Sequence, residues 1–148
     1  MPSFEELFLK SKGKPVVFNN KTIQMVDRLP MQDGQKLEIT FEGANGDWRQ
    51  GVCLTTDGGF IVNNQTINKS IILWYDTAPK TVQIKIATKR GELQIKNVWD
   101  TGDGVVHSWH NGAAMIVEDI VNGRRYLCND GVADDDFNDL IFRLNLTD

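Results

Sequence analysis

Cysteine is scarce in this chain, with only Cys53 and Cys128 in 148 residues. Two thiols make no disulfide framework. Two separate buried thiols are expected, with a single bridge as the alternative. Histidine is equally scarce, and His107 and His110 are the only two. A His-X-X-His spacing on a strand points the rings to opposite faces, and no third nitrogen or thiolate accompanies them, which argues against a shared zinc. No apolar run approaches the ~18 residues of a membrane span. The N-terminus, Met-Pro-Ser-Phe-Glu-Glu-Leu-Phe-Leu-Lys, has no basic n-region and no long apolar core. Cytoplasmic synthesis without a signal peptide is therefore expected, with release or surface association left open. An excess of positive charge is missing too. The net charge is −4 and the pI about 5.1, which argues against a nucleic-acid partner. The sequence also lacks a Gly-X-Ser-X-Gly elbow, a phosphate loop and a dinucleotide fingerprint.

What is present is a period of two. Lys36–Phe41, Thr81–Ile86 and Glu92–Lys96 alternate polar and apolar residues, the mark of half-buried antiparallel strands. Pro15–Phe18, Gly51–Thr55, Phe60–Val62, Ser70–Tyr75, Ala113–Glu118, Arg125–Cys128 and Leu140–Leu144 are further strand candidates. Turn residues separate them, as in Gln32-Asp33-Gly34, Asn45-Gly46-Asp47, Asp57-Gly58-Gly59 and Thr101-Gly102-Asp103-Gly104. Val121-Asn122-Gly123-Arg124 predicts a hairpin in which Asn122 and Gly123 supply the two positive-φ positions of a type I′ turn. Only residues 3–11 read as helical, with Ser3 as a cap and Phe4, Leu7 and Phe8 on one face. The 148 residues are expected to form one domain. Many short strands with no helices between them predict an all-β fold: an antiparallel, jelly-roll-like β-sandwich with a short N-terminal helix.

The densest chemical signal is Asn129 to Asp139, Asn-Asp-Gly-Val-Ala-Asp-Asp-Asp-Phe-Asn-Asp. Asp130, Asp134, Asp135, Asp136 and Asp139 crowd together just before an apolar strand. Such a carboxylate density repels itself unless a cation sits within it, and an all-oxygen donor set suits calcium. Asp134, Asp136 and Asn138 have the alternating spacing that turns successive side chains to one side. The EF-hand opens in the same way but does not fit. Counting Asp134 as position 1, Asp139 stands where glycine is required and Asn145 where glutamate is required. The flanks are also strands, not helices. Magnesium keeps its waters and takes few carboxylates. A solvated acidic loop without metal is the bland alternative, but the segment contains Phe137 and abuts a hydrophobic strand.

Asp134-Asp135-Asp136-Phe137-Asn138-Asp139, preceded by a Gly-containing acidic loop and followed by a last strand, resembles the C-terminal signature of the calcium-mediated bacterial lectins, the fucose- and mannose-binding family. The resemblance covers about 20 residues. A similar ending occurs in other calcium-binding β-sandwich domains of secreted or surface proteins. The resemblance implies two adjacent Ca2+ ions that bind sugar hydroxyls directly. Asp134 would serve one ion, Asp136 and Asp139 both, and Asn138 the second. An upstream ligand would fall at Asn129 or Asp130, and a further one, from an early loop, at Asn45. In those lectins a neighbouring subunit's C-terminal carboxylate completes the site and the chain ends in Gly. Here the sequence ends Asn145-Leu146-Thr147-Asp148, which offers Asp148 for that role if a homodimer forms. The roughly 30 extra residues ahead of the motif match nothing in the small family members.

The sequence therefore supports a non-enzymatic, calcium-dependent carbohydrate-binding protein, its partner a mono- or oligosaccharide. Asp134, Asp136, Asp139, Trp109 and Asp148 are the expected ligand-contacting residues. The rival reading is a calcium-stabilised sandwich that serves as a protein-interaction module and binds no sugar. Trp99–Gly104 with Ser108–Gly112 either forms a groove in which Trp109 or Trp99 stacks on a sugar, or supplies core anchors and turns. Trp74-Tyr75 is expected in the core. Glu118-Asp119 reads as a hairpin end in preference to a glycosidase pair. Acidic neighbours raise the Cys128 thiol and argue against a nucleophile there.

Overall fold

The computed structural model describes residues 4–18, 20–62, 64–108, 112–131 and 136–147. One helix, α1 (Phe4–Ser11), precedes thirteen strands: β1 (Val16–Phe18), β2 (Lys21–Gln24), β3 (Asp27–Pro30), β4 (Lys36–Gly43), β5 (Arg49–Thr55), β6 (Phe60–Val62), β7 (Gln65–Ile67), β8 (Ser70–Trp74), β9 (Thr81–Ile86), β10 (Glu92–Asp100), β11 (Ala114–Ile120), β12 (Gly123–Asn129) and β13 (Leu140–Thr147). They form two antiparallel sheets. The larger runs β1-β2-β11-β12-β13-β4-β9-β6-β7, and the smaller β3-β10-β5-β8. The predicted all-β sandwich with a short N-terminal helix is the architecture found.

The alternation read from the sequence maps onto the space between the sheets. Val82, Ile84 and Ile86 of β9, Leu37 and Ile39 of β4, Leu93 and Ile95 of β10 and Val52 and Leu54 of β5 meet in one core. A second cluster of Phe4, Phe8, Ile23, Ala114, Ile116 and Phe137 lies where α1 packs on β2 and β11. The helical face predicted from Phe4, Leu7 and Phe8 is the one that docks there. Ser3 lies outside the described residues.

Three expectations need correction. Strands β2, β3 and β7 were absent from the sequence reading. They are three or four residues long and, unlike the equally short but wholly apolar β1 and β6, at least half polar. The Trp74-Tyr75 pair is not core. Strand β8 is an edge strand, Trp74 is only partly buried beneath the Arg49 guanidinium at 4.4 Å, and Tyr75 is 41% exposed. The β11–β12 hairpin turns one residue earlier than expected: Ile120 pairs with Gly123, so Val121 and Asn122 are its central residues. Of these two only Asn122 takes a positive φ, at 57°, so the turn is not type I′. Gly123 is needed for a different reason. It pairs with Asn145, and a Cβ there would collide with the carbonyl oxygen of Leu144.

The cysteines are two free, buried thiols. A buried polar triad ties the sheets together at another point. The Tyr126 hydroxyl donates to Asp27 Oδ2 at 2.7 Å, and Arg124 donates to both Asp27 oxygens at 2.8 and 2.9 Å. Burial disfavours the Arg124 charge, but the Asp27 carboxylate outweighs it and raises the guanidinium pKa. Among the described residues no helix is long and apolar enough to cross a membrane.

Candidate metal centre

Buried polar groups cost free energy unless they are satisfied, so their distribution indicates where a fold is built for more than packing. Nine polar or charged residues are buried among those described, and five of them (Gln50, Asn97, Asn129, Asp130 and Asp139) gather at one end of the sandwich. There β12 runs out, the acidic turn follows, and β13 begins. The loop between β4 and β5 lies alongside.

Each contact there can be traced. The Asp139 N–H donates to Cys128 O at 3.1 Å, closing the acidic turn back onto β12. The Asp130 N–H donates to Asp139 Oδ2 at 3.0 Å, which ties the Asp139 carboxylate to the backbone at the end of β12. The Phe137 N–H donates to Asn129 Oδ1 at 2.7 Å. Phe137 has a φ of 51°, a left-handed conformation that costs a bulky residue about 1–2 kcal/mol. Its ring is buried in the cluster beneath α1, and that burial offsets the strain. The aromatic residue of the motif thus anchors the turn from below. Asp136, just before it, is exposed, and Asn138 is partly so.

The smaller sheet grips this end from across the core. Asn97 Nδ2 of β10 donates to Asn129 O at 2.8 Å, and Gln50 Nε2 of β5 donates to Asp130 Oδ2 at 2.8 Å. The loop after β4 joins through its backbone. The Asn45 N–H reaches the carbonyls of Asn138 and Asp139 at 3.3 and 3.1 Å, and the Gly46 N–H reaches that of Asp139 at 3.3 Å. The early-loop asparagine suggested by the resemblance is therefore beside the motif. Burial pushes the Cys128 thiol well above its usual pKa, and the nearby Asp139 carboxylate adds to the effect.

An aromatic wall stands next to the turn. Trp48 and Trp99 stack with centroids 6.3 Å apart and planes 15° from parallel, and His107 stacks on Trp99 at 6.3 Å. A Cβ on Gly131 would lie 3.0 Å from Trp99 and 3.4 Å from Trp48. Trp99 is buried, the anchor of the two alternatives, whereas Trp48 is only partly covered. The loop after β10 is built from turns. Asp100 accepts from the Gly102 and Gly104 N–H groups, and the Gly102 bond above all lowers its carboxyl pKa.

Of the residues proposed from sequence, the structure brings Asn129, Asp130, Asp136, Asn138 and Asp139 to this turn. Asp134, Asp135, Trp109, His110 and Asp148 lie outside the described residues. Among those described, no three His, Cys, Asp or Glu side chains gather closely enough to hold an ion by themselves. The donor set still fits a hard cation: carboxylate and amide oxygens, two of the carboxylates on buried residues, and a further buried oxygen, Gln50 Oε1, that no donor among the described residues reaches. Sequence reasoning missed Gln50 and Asn97. The available signal was that each continues an apolar inward face, Gln50 with Val52 and Leu54, and Asn97 with Leu93 and Ile95. Glu118 and Asp119 sit at the exposed end of the β11–β12 hairpin, paired with Arg125 and Arg124. A groove of about 450 Å³ beside Trp74, Ala78 and Val82 is lined without a titratable group.

No family model and no curated protein sequence matches the chain. Among solved structures, a lectin of Chromobacterium violaceum in complex with alpha-methyl-fucoside is similar at 17% identity and a TM-score of 0.42, covering 82% of this chain and 94% of the lectin.

Proposed function

We propose that the protein is a calcium-dependent carbohydrate-binding module whose site is the acidic turn between β12 and β13. The observation that carries this reading is the gathering of Gln50, Asn97, Asn129, Asp130 and Asp139, buried at the foot of a turn whose sequence is Asp-X-Asp-aromatic-Asn-Asp. Burying a carboxylate costs on the order of several kcal/mol unless opposite charge or hydrogen bonds compensate it. Two buried aspartates at one end of the sandwich, Asp130 and Asp139, concentrate that cost in one place. An oxygen-preferring cation relieves it.

Asp130 and Asp139 supply the buried base of the site, and Asp136 and Asn138 its outer rim. Asp134 completes the set by its place in the motif. When bound, calcium exchanges coordinated waters for vicinal sugar hydroxyls, at little cost because one oxygen ligand replaces another. The half-covered Trp48 ring, packed on Trp99, offers an apolar wall for the sugar's carbon face.

Titration calorimetry tests the reading in two stages. Calcium is expected to bind the metal-free protein, and monosaccharides with vicinal hydroxyls are expected to give heat only after calcium is added. Calcium heat without any sugar heat would reduce the site to a structural one. Sugar heat that persists in chelator would exclude ion-mediated recognition.

A further inference from the structure

Gln50 does not belong to the acidic motif, lies in the other sheet and is 80 residues away in sequence. It is 2% exposed. Its Nε2 donates to two acceptors, Trp48 O at 3.1 Å and Asp130 Oδ2 at 2.8 Å. Those two acceptors fix the orientation of the amide, because turning it over would set an oxygen against both. Oε1 is left buried, and no donor among the described residues reaches it. A buried amide oxygen in that state bears its desolvation penalty without return. Such a defect, on the amide that holds a buried carboxylate, needs a physical cause.

The surroundings narrow the choice. Gly46 approaches so closely that a Cβ there would collide with Gln50 Nε2 and lie 3.0 Å from Asp130 Oδ2. The Gly46 N–H is directed to Asp139 O. Gln50, Gly46, Asp130 and Asp139 therefore share one compact, oxygen-rich corner. A buried amide oxygen without a donor among the described residues, on the side chain that holds Asp130, is well matched to a hard cation.

Resting on the calcium reading above, we propose that Gln50 is a positioning residue and oxygen donor for the ion, extending the site across both sheets. Nε2 holds the Asp130 carboxylate in place, and Oε1 faces the cation. Outer partners that orient a metal's ligands govern affinity strongly, typically by about 10–100-fold.

The test uses Gln50→Met and Gln50→Glu, with calcium binding measured by calorimetry and thermal stability measured in calcium and in chelator. In Gln50→Met, calcium affinity is expected to fall at least about tenfold. A smaller loss, including one in which only the stability in chelator drops, reduces Gln50 to a packing residue and overturns the proposal. If Gln50→Met does not fold, Gln50→Glu decides. Its carboxylate repels Asp130 in chelator, and calcium is expected to raise its Tm by more than it raises the wild type's. An equal or smaller rise overturns the proposal. If the wild type itself takes up no calcium, the functional reading fails first, and that outcome is distinct from either variant result.

Discussion

The rings of Phe137 and Phe4 lie 5.6 Å apart, centroid to centroid, so the acidic turn and the N-terminal helix share one apolar cluster. Phe137→Ala empties part of that cluster and frees the turn. A loss of about 3–5 kcal/mol in urea-unfolding stability is expected. Calcium affinity should fall with it, although Phe137 contributes no oxygen from its side chain. Unfolding curves that superimpose on the wild type's would show that the ring anchors nothing.

Calcium should stabilise the folded state by mass action. At a free concentration of 100 times Kd the gain is about 2.7 kcal/mol, or roughly 5–10 °C in Tm for a chain of this size. Asp136→Ala is expected to remove most of that shift and to weaken calcium more than about tenfold. Asp139→Asn keeps an oxygen for the Asp130 N–H and should be the milder change. Differential scanning calorimetry with calcium and with chelator reads both variants. A wild-type Tm indifferent to calcium would remove the basis for either expectation.

Tyr126 makes alkaline stability a reporter of the triad with Asp27 and Arg124. Burial, followed by the Asp27 charge and its hydrogen bond, raises the phenol pKa above the ordinary value of 10.0. A folded-state pKa above the unfolded one favours the protonated form. The stabilising contribution is therefore full below about pH 10 and declines as pH rises past it. Tyr126→Phe should lower stability at neutral pH, through the lost bond to Asp27, and flatten the decline above pH 10. Urea midpoints measured between neutral pH and pH 11 would test both parts.

Gly123 offers a purely steric prediction. A methyl group there meets the Leu144 carbonyl, and backbone cannot move aside as a flexible side chain can. Gly123→Ala should cost about 1–3 kcal/mol, even though the position does not require a positive φ. A neutral result would mean that β12 and β13 separate more easily than their pairing implies.

Much of the architecture was legible from alternation. The strands with at least five residues were anticipated because a half-buried strand of that length displays its period, as Thr81–Ile86 does. Strands β2, β3 and β7 were not: β1 and β6 are as short but wholly apolar, whereas Lys21–Gln24, Asp27–Pro30 and Gln65–Ile67 are short and at least half polar, with neither a period nor an apolar run to mark them. The β11–β12 hairpin was readable from Asn122-Gly123, but the role of Gly123 was not, because it is set by Leu144 on a strand not adjacent in that hairpin. The same holds at the candidate site. Asp130, Asp136, Asn138 and Asp139 announce themselves by local density. Gln50 and Asn97 act across the gap between sheets, and only a polar residue continuing an apolar inward stripe hinted at them. Trp74-Tyr75 misled for a related reason: apolar content does not reveal which strand ends up at an edge.

Strand β13 comes last of the thirteen in chain order, yet it lies in the interior of the larger sheet, between β12 and β4. A chain lacking Leu140–Thr147 leaves two unpaired ladders facing each other across a vacant slot, and it cannot assemble the sheet in stages from its beginning. Closure must join segments far apart along the polypeptide, which slows folding and leaves adhesive backbone uncovered in the interim. Because the acidic turn leads directly into β13, the step that zips the sheet shut is also the step that forms the turn.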